Sequence, residues 1–204
     1  MSLLPIPRNV KIQSKVPDTN IEFFSDGEIE NMKTYIQSQF KNHNKRSSIH
    51  RRYFLLLVTL LRTGGRIDEV LQVKPRDFDL TNGIVKMITL KKRKESYRTI
   101  PLHQELKDSI MEYLLENRTD PRSEDLLFPM RRQSVDEYFK KMQKELGFRI
   151  HAHKFRHTFG VKCILSNVPL NVLQKWLGHS SIFTTSIYTE ITGMDTKDFM
   201  RNMN

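Results

Sequence analysis

A single cysteine, Cys163, is all the thiol chemistry in this 204-residue chain, which excludes an internal disulfide framework and any zinc site built on several thiolates. Its apolar surroundings predict a buried helix residue. No uninterrupted apolar run approaches the ~20 residues of a bilayer-spanning helix, and the N-terminal MSLLPIPRNV has no sustained apolar stretch of the secretory kind. A soluble, cytoplasmic protein is expected. Glycine fingerprints are also missing: neither a Walker segment nor a dinucleotide-binding motif occurs, and there is no internal repeat. Carboxylates are scarce relative to cations, 23 against 34, leaving a formal charge of +11. A polyanion is the first partner to consider, although charge alone does not choose between nucleic acid, an anionic membrane and simple solubility. The basic amphipathic helix of a membrane-surface protein is not found.

The length suits one domain with a proper core. Residues 1–24 carry three prolines and no clear period, so they read as an extended arm or linker remnant. Ser25 and Glu28 form a capping box, and Ile29, Met32, Ile36 and Phe40 recur on one face of a first helix. The stretch from Tyr53 to Leu61 is apolar all round, suiting a central helix that ends at Thr63-Gly64-Gly65. A helix restarts at Arg66, with Ile67, Val70 and Leu71 inward. Residues 84–90 and 97–100 read as strands flanking the turn KKRKES, a hairpin with a basic tip. Helices are expected through Leu106, Ile110, Tyr113 and Leu114, and from a second capping box at Ser134 and Glu137 that buries Val135, Phe139, Met142 and Leu146. Two more cover 153–166 and 169–177, the latter ended by Gly178. A short turn to residue 189 and a tail helix near 195–203 complete the chain. The expected fold class is mainly α (α+β): a compact multi-helix domain over 25–190 with a small antiparallel β-sheet, and a tail over 191–204.

The chemistry concentrates in three places. In His151-Ala-His153-Lys-Phe-Arg156-His157, positions 153, 156 and 157 share one helix face. Three readings compete for it. A metal could use His153 and His157, but no HExxH glutamate accompanies them and Arg156 would repel a cation. A solvated basic face is the bland alternative. A phosphate site explains why donors cluster here. The other two places are Arg62-Thr-Gly-Gly-Arg66-Ile-Asp-Glu69 and Leu177-Gly178-His179, which is followed nine residues on by Tyr188.

Taken in register, these segments resemble the signature of the tyrosine recombinase (phage integrase) family. That signature has an arginine in TG-x-R-x-x-E, an H-x-x-R-H box, and LGH followed by tyrosine in a T-x-x-Y-T context, in the order seen here. The resemblance implies that Arg66 and Arg156 clamp a scissile phosphate, that Tyr188 is the nucleophile, and that His179 is a further phosphate contact. It gives His153 a part in proton transfer or hydrogen bonding near the nucleophile. A hairpin lysine protonates the leaving oxygen in this family. Counting back from Ser96-Tyr97-Arg98-Thr99-Ile100-Pro101, which is similar to the family's strand exit, that lysine is Lys92, with Lys91 next and Lys94 also on the hairpin. Glu69 is expected to orient a neighbouring arginine or histidine, and His157 to support the site from behind. Trp176 stands where some members have a pocket residue, and core packing accounts for it equally well. Gly65 and Phe155 depart from the leucine common at those positions. His43, His50, His103 and His151 read as surface residues.

Such chemistry suits these residue types. Two guanidiniums and an imidazole can neutralise a phosphodiester without a metal. A phenol with a pKa near 10 needs a positive site or a base to attack. Exchange of one phosphodiester for another conserves bond energy, so no cofactor, nucleotide or metal is called for. The resemblance further implies double-stranded DNA as partner, a homotetramer on two sites, and a core-binding domain upstream that this chain lacks, whether as a fragment or as a small single-domain member. The tail, with Phe199, Met200 and Met203, is a candidate for exchange between neighbours or for packing at home. Cytoplasmic, nucleoid-associated action follows. Type IB topoisomerases and telomere resolvases share the arginines and tyrosine, but the short chain and the LGH segment favour a recombinase. The alternative of another class is a DNA-binding regulator that kept the fold and lost strand exchange.

Overall fold

Ser25 opens the first helix as its spacing predicts: its hydroxyl accepts from the Glu28 amide at 3.2 Å, and the Glu28 carboxylate accepts from the Ser25 amide at 2.8 Å. The computed structural model describes residues 21–39, 45–90 and 96–191. Helix α1 (Asp26–Ser38) buries Ile29, Met32 and Ile36. Phe40, expected on the same face, lies outside the described residues.

Helix α2 (Lys45–Thr63) is the axis of the domain. Leu55, Leu56, Leu57, Val58 and Leu60 are all buried, so several sides of the helix face protein. Two hydroxyls in this apolar stretch are satisfied along the helix, Thr59 donating to the Leu55 carbonyl at 2.7 Å and Thr63 to the Thr59 carbonyl at 2.6 Å. After the Gly64-Gly65 turn, α3 (Ile67–Val70) makes a single turn of helix.

A three-stranded antiparallel sheet follows, ordered β1 (Phe78–Asp79), β2 (Ile84–Thr89), β3 (Ser96–Pro101). The two-residue β1 was not legible beforehand. In the β2–β3 register Met87 faces Arg98 and Thr89 faces Ser96. The alternation turns Val85, Met87 and Thr89 inward from β2, and Arg98 and Ile100 inward from β3. The tip, residues 91–95, lies outside the described residues.

Helices α4 (Gln104–Glu116), α5 (Arg132–Leu146), α6 (Ala152–Leu165), α7 (Leu170–Leu177) and α8 (Phe183–Ile191) complete the described chain. α2 packs on α1, α4 and α6, and α6 in turn on α7 and α8. Two expectations need correction. α5 begins at Arg132 with Arg131 as its cap, so Ser134 lies within the first turn and the Ser134/Glu137 box does not form; the Ser134 carbonyl accepts instead from the Tyr53 hydroxyl at 3.2 Å. The segment up to 189, expected as a turn, is α8, held by packing on α6 rather than by the helix propensity of Thr184-Thr185-Ser186-Ile187.

The last residues before α1 belong to the core. Ile21, Phe23 and Phe24 are buried, the Phe24 amide donates to the Thr158 hydroxyl at 2.8 Å, and the Phe24 ring lies against Phe155 on α6. The Lys154 ammonium sits 4.4 Å from the Phe24 ring centre and 3.5 Å from Glu28. This segment therefore straps α6 from outside. No helix among the described residues is long and apolar enough to cross a membrane. Replacing Phe24 with Ala is expected to cost about 3–5 kcal/mol, read from urea unfolding of the full chain; a loss under about 0.5 kcal/mol, the usual size for a surface substitution, would place the strap outside the cooperative core.

Candidate active site

The Gly64-Gly65 turn leaves Arg66 in an extended conformation at the start of α3, with Glu69 one turn on. The Glu69 carboxylate is fully buried and bonded on both oxygens. Oε1 accepts from Arg66 Nη1 at 2.9 Å, while Oε2 accepts from the Arg66 amide at 3.0 Å and from Arg98 Nη2 at 2.6 Å. Burial pushes the Glu69 carboxyl upward, but the Arg98 charge and the hydrogen bonds from Arg98 and Arg66 outweigh it and hold the group below the usual carboxylate range. Arg66, about a quarter exposed, keeps part of its guanidinium toward solvent.

Arg156 comes from α6 and is only 2% exposed. Nη1 donates to the Gly64 carbonyl at 2.8 Å and Nη2 to the Leu177 carbonyl at 2.7 Å. The side chain thus ties the α2–α3 turn to the end of α7. Burial, then the neighbouring Arg66 charge, brings its pKa down to about 10, which leaves it charged at neutral pH.

Tyr188, on α8, is 1% exposed. Its ring lies flat on the backbone of α6 at Gly160, where an added Cβ would fall 2.6 Å from the ring carbon bearing the hydroxyl. Only glycine leaves room for that approach. The hydroxyl is 3.2 Å from His157 Nδ1. Burial pushes the phenol up to about 12 against the opposing pull of Arg156 and Arg66, so it is protonated at neutral pH. Burial, reinforced by His153 and Arg156, brings His157 down to about 4. A neutral imidazole protonated on Nε2 can accept from the phenol at Nδ1. His153 stands edge-on to His157 with ring centres 4.3 Å apart, its own pKa lowered by burial and then by Arg156.

α7 ends at Gly178 in the left-handed region, φ 66°, and the chain turns there into His179. His179 Nδ1 lies 2.9 Å from the Thr185 hydroxyl on α8. The structure therefore draws Arg66, Glu69, His153, Arg156, His157 and Tyr188 into one cluster, with His179 on the turn beside it. Lys92, with Lys91 and Lys94, lies outside the described residues.

Several placements differ from the sequence reading. His157, expected behind the site, contacts the tyrosine hydroxyl directly. His103 is exposed as read and His151 half-buried, but each has a partner that the sequence did not show, capping a helix by accepting from the Glu105 and Lys154 amides at 3.2 and 3.3 Å. His50 lies 3.3 Å from the Tyr138 hydroxyl. His43 is outside the described residues. Arg98 was missed as a site residue, although its parity with Ile100 in β3 gave a signal: it is an arginine at an inward position. The Trp176 ring is partly buried near Phe159, and its carbonyl accepts from Arg98 Nε at 2.7 Å.

Because the folded protein holds His157 near 4 against 6.5 for a free imidazole, stability is full above pH 6.5 and falls as pH drops toward 4. His157→Gln is expected to flatten part of that decline in urea midpoints, the lowered His153 and His151 leaving a residual slope; identical slopes would mean that His157 titrates normally. Gly160→Ala forces the Tyr188 ring off its shelf and is expected to cost about 1–3 kcal/mol by thermal unfolding, with little cost in a Tyr188→Ala background.

Residues 12–193 match the phage integrase family. Among curated proteins, the tyrosine recombinase XerA of Thermococcus kodakarensis is 33% identical over 146 residues, covering 68% of this chain and 50% of its own. The chain spans about half the length of the curated relatives it matches. Among solved structures, the XerH site-specific recombinase bound to its difH substrate aligns with a TM-score of 0.64 at 25% identity, over 89% of this chain and 52% of that one. The catalytic domain of bacteriophage HP1 integrase aligns with a TM-score of 0.64 at 18% identity, over 90% of this chain and 95% of that one, a likeness of fold. The sequence match, the ordered arginines and tyrosine, and the mainly helical fold with its small sheet agree: this chain belongs to the phage integrase family of tyrosine recombinases.

Proposed function

We propose that the chain is the DNA-cleaving and rejoining part of a site-specific recombinase, working through a 3′-phosphotyrosyl bond at Tyr188 without metal or nucleotide. The observation that carries this reading is geometric: Tyr188 is seated on Gly160 of α6 with its hydroxyl 3.2 Å from His157, and Arg156 of the same helix is tied at 2.8 Å to the Gly64 carbonyl of the turn that presents Arg66. Both would face a phosphate's non-bridging oxygens, with His179 as a third donor. Tyr188 Oη then attacks phosphorus, its proton passing to the neutral imidazole pair His157 and His153. The P–O5′ bond breaks, and the leaving oxygen takes a proton from the hairpin lysine, assigned to Lys92. Reversal with a new 5′ hydroxyl rejoins the strand. Preorganised donors of this kind are typically worth on the order of 10²–10³ each in rate.

Double-stranded DNA is the proposed substrate, supported by the net charge of +11 and by the DNA-bound XerH relative. Assembly as a homotetramer, a core-binding domain upstream of these residues, and nucleoid-associated action in the cytoplasm belong to the same proposal. The chain's half-length coverage of its relatives is consistent with such a domain.

Incubation with a nicked suicide duplex carrying the cognate site, followed by a denaturing gel, is expected to yield a covalent adduct. Tyr188→Phe should abolish it, Arg66→Lys and Arg156→Lys should each slow it by about 10²–10³, and chelator should leave it unchanged. An adduct that survives in Tyr188→Phe overturns the mechanism. Specific DNA binding without an adduct, even with an upstream DNA-binding domain joined to the chain, favours a regulator.

A further inference from the structure

We propose that Arg98 is a positioning residue for the reaction, holding Arg66, the base of the lysine hairpin and the His179 turn as one rigid unit. The inference rests on the reading of the site as a phosphate cradle. Arg98 is 9% exposed, and four of its guanidinium N–H groups are already committed. Nη2 donates to Glu69 Oε2 at 2.6 Å, Nε to the Trp176 carbonyl at 2.7 Å, and Nη1 to both the Ile88 carbonyl and the Thr89 hydroxyl at 3.0 Å.

The four acceptors lead to three arms of the site. Glu69 grips Arg66 through a second oxygen, so the carboxylate transmits the position of Arg98 to the exposed guanidinium. Ile88 and Thr89 end β2, where the chain leaves for the segment that carries Lys91, Lys92 and Lys94. The Trp176 carbonyl lies two residues before Gly178, and an added Cβ at Gly178 would stand 3.2 Å from Arg98 Cδ. The left-handed turn into His179 is therefore built against the arginine stem. A planar fork with fixed donors can span three acceptor directions, whereas an ammonium on a flexible stem cannot hold all of them. Packed beneath the cluster with its donors occupied, Arg98 acts through Glu69 rather than on substrate.

Two measurements on the full chain test this. The first needs no activity: ¹⁵N relaxation of the Arg66 Nε in wild type and in Arg98→Lys. Arg66 is expected to become disordered in the variant while backbone signals elsewhere stay in place. The second compares adduct formation at saturating DNA on a phosphodiester and on a methylphosphonate, which lacks the charge that Arg66 would neutralise. The expected loss is about 10–100-fold on the phosphodiester, the usual scale for removing an orienting partner, and several-fold less on the methylphosphonate. Should Arg98→Lys not fold, Thr89→Val removes one acceptor and is expected to shift both readouts the same way, by less. Unchanged Arg66 order, or equal losses on both substrates, overturns the inference. If wild type forms no adduct with any duplex, the function proposed above fails, and the relaxation measurement alone decides whether Arg98 positions Arg66.

Discussion

The Glu69 carboxylate, sealed from water between two guanidiniums, is the interaction on which the rest of the site depends. Arg66, Arg98 and Arg156 would repel one another in a low-dielectric interior, and a single buried negative charge among them offsets that repulsion. Removal of either arginine would leave a buried carboxylate short of partners, which costs several kcal/mol. Arg156 is held by a different device: it donates to two backbone carbonyls, and among the described residues no carboxylate forms an ion pair with it. The site is therefore electropositive by construction, with one arginine braced by a carboxylate and another by peptide dipoles.

Helix α6 converts the fold into that geometry. Phe155 turns into the main core, while Arg156 and His157 next to it face the cluster and Gly160 forms the bed for Tyr188. Less than two turns of helix thus serve packing, charge and the seating of Tyr188 together. The strap from Ile21 to Ser25 fastens the opposite side of the same helix through Thr158 and Lys154. α6 is consequently fixed from both flanks, and the Tyr188 hydroxyl and its histidine partner inherit that rigidity.

Much of this was legible in the sequence where the signal is local. The Ser25–Glu28 cap, the all-apolar centre of α2, the basic hairpin and the glycine that stops α7 each follow from residues a few positions apart. The arginine, histidine and tyrosine segments were legible through their ordered likeness to a family. What escaped depends on distant partners. Arg98 meets Glu69 from 29 residues away and Trp176 from 78, and no periodicity encodes such a pairing. α8 is helical because α6 lies beneath it, although its β-branched residues favour other conformations. Ser134 carried a capping signature that the helix ignored by starting at Arg132. His157 looked peripheral because the contact that matters comes from α8, 31 residues on.

The flat seat of Tyr188 on Gly160 has a kinetic consequence. Exposing a buried aromatic side chain costs roughly 1.5–3 kcal/mol, so under the proposed reaction a ring that must rise from its bed to reach a phosphate does so unaided in only about one molecule in ten to one in two hundred. For the reaction proposed above, a duplex must bind well enough to supply the difference. Under that proposal fidelity is partly a threshold: a weakly held duplex leaves the phenol parked against Gly160.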